Sequence, residues 1–222
     1  GGGNGLSTGD VLTTARTLAA PAWLKCDGAQ YLRASYPAVE GLLPSPPADG
    51  TTWTQRSLPA YINWRSVTYG NGVFVAVATD INNIAATSPD GVTWTQRTLP
   101  TYDNWTSVTY GNGVFVAVAY NTSIAATSPD GITWTQRTLP TSASWTSVTY
   151  GNGVFVAVAY GTSIAATSPD GVTWTQRTLP TSANWWAVTY GNGVFVAVAA
   201  GSAIAATSSG DSTKFRVPLI AD

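Results

Sequence analysis

The segment VTYGNGVFVAVA occurs four times in this chain of 222 residues, beginning at Val67, Val108, Val148 and Val188. Each copy is followed by IAATS, and the first three continue through Ser-Pro-Asp-Gly into TWTQRTLP. One further copy of that last piece, DGTTWTQRSLP, precedes the first. Corresponding tryptophans follow one another after 40 or 41 residues. Such self-similarity at a fixed period predicts a repeat protein.

Each repeat reads as four short strands separated by turns. In the second repeat, WTSVTYG favours a strand, and Gly111-Asn112-Gly113 predicts a tight turn. VFVAVA is apolar on both faces, which is typical of a strand between two layers. SIAATS, the turn Pro129-Asp130-Gly131 and ITWTQRTL complete the unit. Four antiparallel strands in about 40 residues are typical of one blade of a β-propeller.

The strand count predicts a closed ring. One leading strand, three complete sets and a final set of three strands give sixteen strands, or four blades of four. We expect Thr52–Leu58 to close the ring by pairing beside Ala203–Ser208. The predicted fold is therefore all-β, with a four-bladed β-propeller over residues 48–208.

The flanking segments differ from the repeats in composition. Residues 1–8 are Gly-rich and predict a flexible linker. Residues 9–47 are too few for a comfortable core of their own, so we expect them to join residues 209–222 in one small base domain. The chain has no Met, from which we expect that it belongs to something longer.

The two flanks resemble the phage tail collar domain of tail fibres. The front half of the pattern is P-A-W-L-K-C-D-G followed by Y-P-A-V, and the back half is K-F-R-V-P-L-I-A-D at the end of the chain. The matching residues are Pro21, Trp23, Leu24, Cys26, Asp27, Gly28, Tyr36, Pro37 and Val39, then Phe215, Pro218, Leu219 and Asp222. The resemblance implies a collar-like base into which the propeller is inserted, a tail-fibre tip on the virion and a homotrimer. The S-P-D-G-x-T-W turns at Ser88, Ser128 and Ser168 resemble a shortened Asp-box turn of sialidase-like propellers, where the turn is structural.

The repeats differ from one another mainly in two segments. One is the linker before the first strand, and the other is the turn between the second and third strands. Since successive turns of antiparallel strands alternate between faces, both segments are predicted on one face and the Gly-Asn-Gly and Pro-Asp-Gly turns on the other. The candidate ligand-binding residues on the varying face are Tyr61, Asn63, Arg65, Asp80, Asn82, Asn83, Tyr102, Asp103, Asn104, Tyr120, Asn121, Tyr160, Asn184 and Trp186. Aromatic, Asn and Asp side chains suit carbohydrate and protein surfaces alike; unconstrained drift of loops is the alternative explanation.

The composition argues against several other classes of protein. Net charge is −1 with only 9% charged residues, which disfavours a nucleic-acid footprint. The sequence contains no run of about 18 apolar residues, so it predicts no membrane-spanning helix. The chain has no His, and Glu40 and Cys26 are its only Glu and Cys. We therefore predict no catalytic centre, no metal and no cofactor, so that the chain is not an enzyme. The tryptophans that recur in every repeat are predicted to pack between blades.

The sequence predicts a phage receptor-binding protein that adheres to a bacterial surface glycan or protein and is joined to upstream tail proteins. Two alternatives stay open. One is a free lectin-type propeller, and the other is a structural tail protein without receptor contact.

Overall fold

A computed structural model of the chain describes residues 49–80 and 82–209. The chain divides into two compact units, Gly1–Thr54 and Gln55–Asp222. The predicted linker at 1–8, the 9–47 part of the predicted base and nearly all of its 209–222 part lie outside the described residues. Within the described part every regular element is a strand, and no helix there has the length and apolar character needed to span a membrane.

The strands form three antiparallel sheets in chain order. The first sheet contains β1 (Trp64–Gly70), β2 (Val73–Ala78), β3 (Asn82–Ser88) and β4 (Thr95–Asp103). The second contains β5 (Trp105–Gly111), β6 (Val114–Ala119), β7 (Thr122–Ser128), β8 (Thr135–Gly151), β9 (Val154–Tyr160), β10 (Thr162–Ser168) and β11 (Thr175–Ala183). The third contains β12 (Trp185–Gly191), β13 (Val194–Ala199) and β14 (Ala205–Ser209).

Strand β8 joins two repeats in the seven-stranded sheet. It is 17 residues long, and its first part pairs with β7, from Thr135 to Ala143. Its second part, from Ser144 to Gly151, pairs with β9. We call β1–β4 the first repeat, β5 to the first part of β8 the second, the rest of β8 to β11 the third, and β12–β14 the fourth.

The predicted pairing of Thr52–Leu58 with Ala203–Ser208 is wrong. Residues 52–58 form no strand, and β14 pairs with β13 alone among the described strands. The fourth repeat thus has three strands, and the described sheets do not close into a ring. In the other repeats a Ser-Pro-Asp-Gly turn delivers the fourth strand directly from the third, whereas the leading segment is separated from β14 by the whole array and must close a much larger loop.

Neighbouring repeats pack through buried apolar faces. At each junction a valine from one repeat shares a buried cluster with a tryptophan and a valine from the next: Val77 with Trp105 and Val108, Val118 with Trp145 and Val148, and Val158 with Trp185 and Val188. All three tryptophans are fully buried. The prediction that the recurring tryptophans pack between repeats is confirmed for these three, whereas Trp53 is 87% exposed.

A glycine lies beneath a tyrosine ring at every junction. A Cβ atom on Gly111 would lie 2.0 Å from Cγ of Tyr150 in the next repeat. A Cβ atom on Gly70 would likewise lie 2.0 Å from Cγ of Tyr110, and one on Gly151 would lie 2.1 Å from Cγ of Tyr190. No side chain fits in that space, so the first glycine of each Gly-Asn-Gly turn is required at a junction by the close approach of the next repeat.

The Pro-Asp-Gly turns are held by one carboxylate each. Oδ1 of Asp130 accepts hydrogen bonds from the amides of Ile132 at 2.8 Å and Thr133 at 2.9 Å, and from the hydroxyl of Ser128 at 3.0 Å. Asp90 and Asp170 repeat this arrangement. The Thr133 amide, more than the other donors, lowers the pKa of Asp130.

We predict that Gly111→Ala lowers the free energy of unfolding by about 3 kcal/mol, because the new methyl group overlaps the Tyr150 ring. Urea titration followed by tryptophan fluorescence measures the effect. Ser142→Ala, at an exposed position, serves as the control. An unchanged unfolding midpoint for Gly111→Ala would show that the tyrosine does not lie over this glycine.

We predict that Asp130→Asn lowers stability by about 1 kcal/mol at pH 7, as loss of a capping carboxylate does. Because the pKa of Asp130 is lowered in the folded state, its contribution is present above the unfolded pKa and is lost as pH falls through the folded pKa. The difference in Tm between wild type and variant should therefore shrink from pH 7 to pH 3. A difference that does not change with pH would contradict this account.

Candidate functional site

The Gly-Asn-Gly and Pro-Asp-Gly turns lie on one face of the repeats, and the segments that vary between repeats lie on the opposite face. The side-chain amide of Asn71 donates to the carbonyl of Pro129 in the next repeat at 3.3 Å, which places these two types of turn together. The varying segments are bonded to each other instead: the Thr79 amide donates to the Asn63 carbonyl at 2.9 Å, and the Ala200 amide donates to the Asn184 carbonyl at 2.8 Å. We call the surface formed by these varying segments the variable face.

A polar cluster on the variable face joins the first and second repeats. The Asn63 side-chain amide donates to the carboxylate of Asp80. The backbone amide of Asp80 donates to Oδ1 of Asn104 at 2.9 Å, and the Asn104 amide donates to Oδ1 of Asp103 at 3.3 Å. Asn82 lies opposite Asp103 in the β3–β4 register. Five of the predicted binding residues are thus brought together.

Two polar residues on this face have positive φ angles. Asp80 has φ 76° and Asn121 has φ 58°, in the turn between the second and third strands of their repeats. The third and fourth repeats have Gly161 and Gly201 there, with φ 72° and 66°. Glycine adopts this conformation without steric penalty, and Asn and Asp adopt it more readily than other residues, as the Asn residues of the Gly-Asn-Gly turns with φ 48° also do.

An aromatic and cationic cluster involves the first, third and fourth repeats. The Arg65 guanidinium carbon lies 4.9 Å from the centroid of the Trp186 ring. Tyr160 meets Trp186 edge to face, with 6.1 Å between ring centroids. At the same repeat position, Thr106 and Thr146 donate to the next repeat. Arg65 and Trp186 therefore replace a junction hydroxyl with a cation–π pair.

The remaining predicted residues do not join either cluster. Tyr61 is fully exposed, Tyr102 is mostly exposed, and Asn83 is half-buried in β3. Asn121 accepts a hydrogen bond from the Ser144 hydroxyl at 2.5 Å, and the Tyr120 amide donates to the Asn104 carbonyl at 2.9 Å. Ser144 was not predicted, although it occupies the repeat position of Asn63, Asn104 and Asn184 and that position varies.

The electrostatics of the polar cluster centre on Asp103. Burial raises the pKa of its carboxyl group above the ordinary value, although the hydrogen bond from the Asn104 amide acts in the opposite direction. Within the described residues, no three His, Cys, Asp or Glu side chains form a group that could hold a metal ion. The variable face thus presents carboxylates, amides and aromatic rings, which suit a polar ligand with hydroxyl groups.

Two clefts lie beside the first and fourth repeats rather than within the variable face. One of about 390 Å³ is lined by Arg56, Leu58, Trp64, Arg65, Val67 and Trp94, and includes only Arg65 of the predicted binding residues. The other, of about 320 Å³, lies between the third and fourth repeats and is lined by Val156, Thr167, Leu179 and Phe195, among others. The first is in a position that a preceding repeat would cover, and the second is in the position that the Asp-Gly turn before a fourth strand occupies at the preceding junction.

The fold is shared with β-propeller proteins of known structure. No family model matches the chain, and no curated protein sequence matches it significantly. Virginiamycin B lyase from Staphylococcus aureus is similar with a TM-score of 0.62 at 15% identity, over 68% of this chain and 54% of that one. YCF48, in a structure with a D1 peptide, is similar with a TM-score of 0.55 at 19% identity, over 74% of this chain and 55% of that one. The chain therefore spans about half the length of these proteins.

These neighbours correct the prediction that the chain is not an enzyme. Virginiamycin B lyase is an enzyme, and a streptogramin B lyase is similar to this chain with a TM-score of 0.57. The fold is thus one that enzymes use. The absence of a recognisable catalytic motif was an insufficient reason to exclude catalysis, because functional side chains in such folds come from turns that are far apart in sequence. With no His in the chain, any acid–base chemistry would have to use Asp, Tyr or other groups.

We predict that Asp103→Asn raises Tm at pH 7. The carboxylate is charged there in the folded and unfolded states, and only the folded state bears the desolvation penalty. Since the folded pKa is raised, wild-type stability falls as pH rises from the unfolded to the folded pKa. The advantage of the variant should therefore disappear near pH 3, where both states are neutral. The effect is opposite in sign to that of Asp130→Asn, which serves as the control; a lower Tm for Asp103→Asn at pH 7 would refute it.

Proposed function

We propose that the chain is the receptor-binding part of a phage tail-fibre tip and that its variable face attaches to a molecule on the bacterial surface, a glycan or a protein. The observation that carries the proposal is the contrast between the two faces. Near-identical repeats keep the same Gly-Asn-Gly turns on one face, while the other face gathers Asn, Asp and aromatic side chains that differ from repeat to repeat.

The finer architecture of the proposal has four blades on a base. The four repeats act as four propeller blades, inserted into a collar-like base built from residues 9–47 and 209–222. The resemblance of Trp23, Cys26 and Tyr36 to the collar pattern supports that base, and the propeller-like neighbours support the blades. The base joins the upstream tail proteins, so that the variable face is carried at the tail tip of the virion.

The two clusters suggest how a ligand is held. Trp186 is 45% exposed, so its ring offers an apolar surface, and the Arg65 guanidinium lies over the ring. A sugar ring or an aromatic side chain stacks on such a surface. The carboxylates and amides of Asp80 and Asn104 supply hydrogen-bonding groups on the same face.

Two other functions remain as alternatives. A free lectin-type propeller would bind glycans on an array without being part of a virion. A structural tail protein would be part of the virion, but its variable face could be altered without affecting adsorption. Identification of the protein in purified virions separates the first alternative from the other two proposals.

We predict that the double variant Tyr160→Ala and Trp186→Ala weakens binding of the purified chain to host cells by about tenfold or more, as loss of central aromatic contacts does. Binding is measured with labelled protein, on cells and on their extracted polysaccharide. Ile132→Ala, an exposed apolar residue in a Pro-Asp-Gly turn on the opposite face, is the matched control.

Equal binding of the double variant and wild type would contradict the assignment of the variable face. Binding to extracted polysaccharide indicates a glycan receptor, and binding only to cells indicates a surface protein. Because the fold is shared with enzymes, the polysaccharide is also examined for cleavage after incubation; cleavage products would replace simple adhesion by an enzymatic function.

A further inference from the structure

The two ends of the repeat array expose matching surfaces. Val67 in the first repeat is 61% exposed, whereas Val108, Val148 and Val188 at the same repeat position are buried. Val198 in the fourth repeat is 46% exposed, whereas Val77, Val118 and Val158 at its position are buried. At every internal junction these two positions share one buried cluster. The free surface of the fourth repeat is therefore of the kind that packs against the free surface of the first.

The glycine and tyrosine contact shows the same complementarity. Gly70, Gly111 and Gly151 each lie under the tyrosine of the next repeat, but a Cβ atom on Gly191 would meet nothing within 4 Å. Tyr69, the tyrosine of the first repeat, is 56% exposed. Gly191 in the fourth repeat thus has no tyrosine ring over it, and Tyr69 in the first repeat lies over none of the described glycines.

The cleft between the third and fourth repeats corresponds to the position that an Asp-Gly turn occupies at the preceding junction. At the preceding junction, a Cβ atom on Gly171 would lie 2.6 Å from Val116, 3.3 Å from Thr127 and 3.8 Å from Phe155. The corresponding residues one repeat later are Val156, Thr167 and Phe195, all of which line the 320 Å³ cleft. The fourth repeat has no Pro-Asp-Gly-x-Thr-Trp segment of its own to fill it.

The leading segment, residues 49–53, has the same conformation as the Asp-Gly turn that occupies this position at the preceding junction. Gly50 has φ 77°, close to the 74° of Gly171. The Trp53 indole donates to the Gly50 carbonyl at 2.8 Å, as the Trp174 indole does to the Gly171 carbonyl at 3.0 Å. Trp174 is buried in its junction, whereas Trp53 is 87% exposed. The leading turn is therefore formed within residues 49–53.

We propose that two copies of this chain form one continuous propeller ring, in which the fourth repeat of each copy packs on the first repeat of the other and receives its leading turn at residues 49–53. The curvature of the repeat array indicates that a second copy of the chain, rather than another protein, covers the free surface of the fourth repeat. The array superimposes on 54% and 55% of the length of two propeller proteins, so its repeats follow the curvature of a ring that needs nearly twice as many. Two identical head-to-tail junctions then close the ring.

The junction between copies is weaker than those within a chain. Within the chain, Ser66, Ser107 and Ser147 accept hydrogen bonds from a valine amide of the next repeat, at 3.0 to 3.2 Å. The fourth repeat has Ala187 at this position, so this bond is missing. The assembly should therefore dissociate on dilution, and Ala187→Ser should tighten it.

Sedimentation equilibrium of the full chain over a range of concentrations tests the proposal. We expect a mass approaching twice the 23.1 kDa of one copy, with reversible dissociation. Gly191→Ala should weaken the association by about tenfold or more, because the methyl group takes the place of the partner's tyrosine ring. In a single copy that methyl group meets open space, so the variant folds normally and keeps its circular dichroism spectrum. Trp53→Ala should weaken the association as well, and Ile132→Ala, far from both ends, should not.

Each of three results would overturn the proposal. A monomeric mass at all concentrations indicates closure within one chain or an open array. A trimeric mass indicates assembly through the collar-like base, as the family resemblance implies. A dimer that Gly191→Ala and Trp53→Ala both leave unchanged associates through some other surface.

Discussion

The structure depends on the burial of one repeat's apolar face against the next. The middle strand of each repeat, VFVAVA, is apolar on both sides, so no repeat can shield it alone. Internal repeats have a neighbour on each side, and the valines and tryptophans at their junctions, such as Val108, Val118, Trp105 and Trp145, are buried. The first and last repeats each lack one neighbour, and the exposed apolar side chains at these two ends are the direct result.

This dependence explains which residues never vary between the repeats. The glycine under each tyrosine has no freedom to change, because the ring of the following repeat occupies the space of its Cβ atom. The aspartate of each Pro-Asp-Gly turn accepts hydrogen bonds from two backbone amides of its own turn and so fixes the conformation of that turn. Residues on the variable face are free of both constraints, so that the face can diverge without loss of the fold.

Features that recur locally could be predicted from the sequence, and features that occur once could not. The period, the strands, the position of the turns and the buried tryptophans all follow from patterns within about 40 residues. The pairing of Thr52–Leu58 depends on closing the whole array, and no local pattern encodes whether that happens within one chain. The pair of Arg65 and Trp186 was equally invisible as a contact, since 121 positions separate the two residues. In the sequence, Arg65 and Trp186 stand out only because they differ from Thr106 and Thr146 at the same repeat position.

Strand β8 gives the array an internal mechanical asymmetry. It pairs with β7 from Thr135 to Thr138 and again at Ala143, and then with β9 from Ser144 to Gly151. The other two junctions have an interruption between strands, at Asn104 and Asn184. Because each outer repeat packs on one neighbour and each central repeat on two, the outer repeats would separate first under load along the chain, and the central pair would separate last. Amide hydrogens in β8 would then exchange with solvent more slowly than those of the equivalent strands on either side.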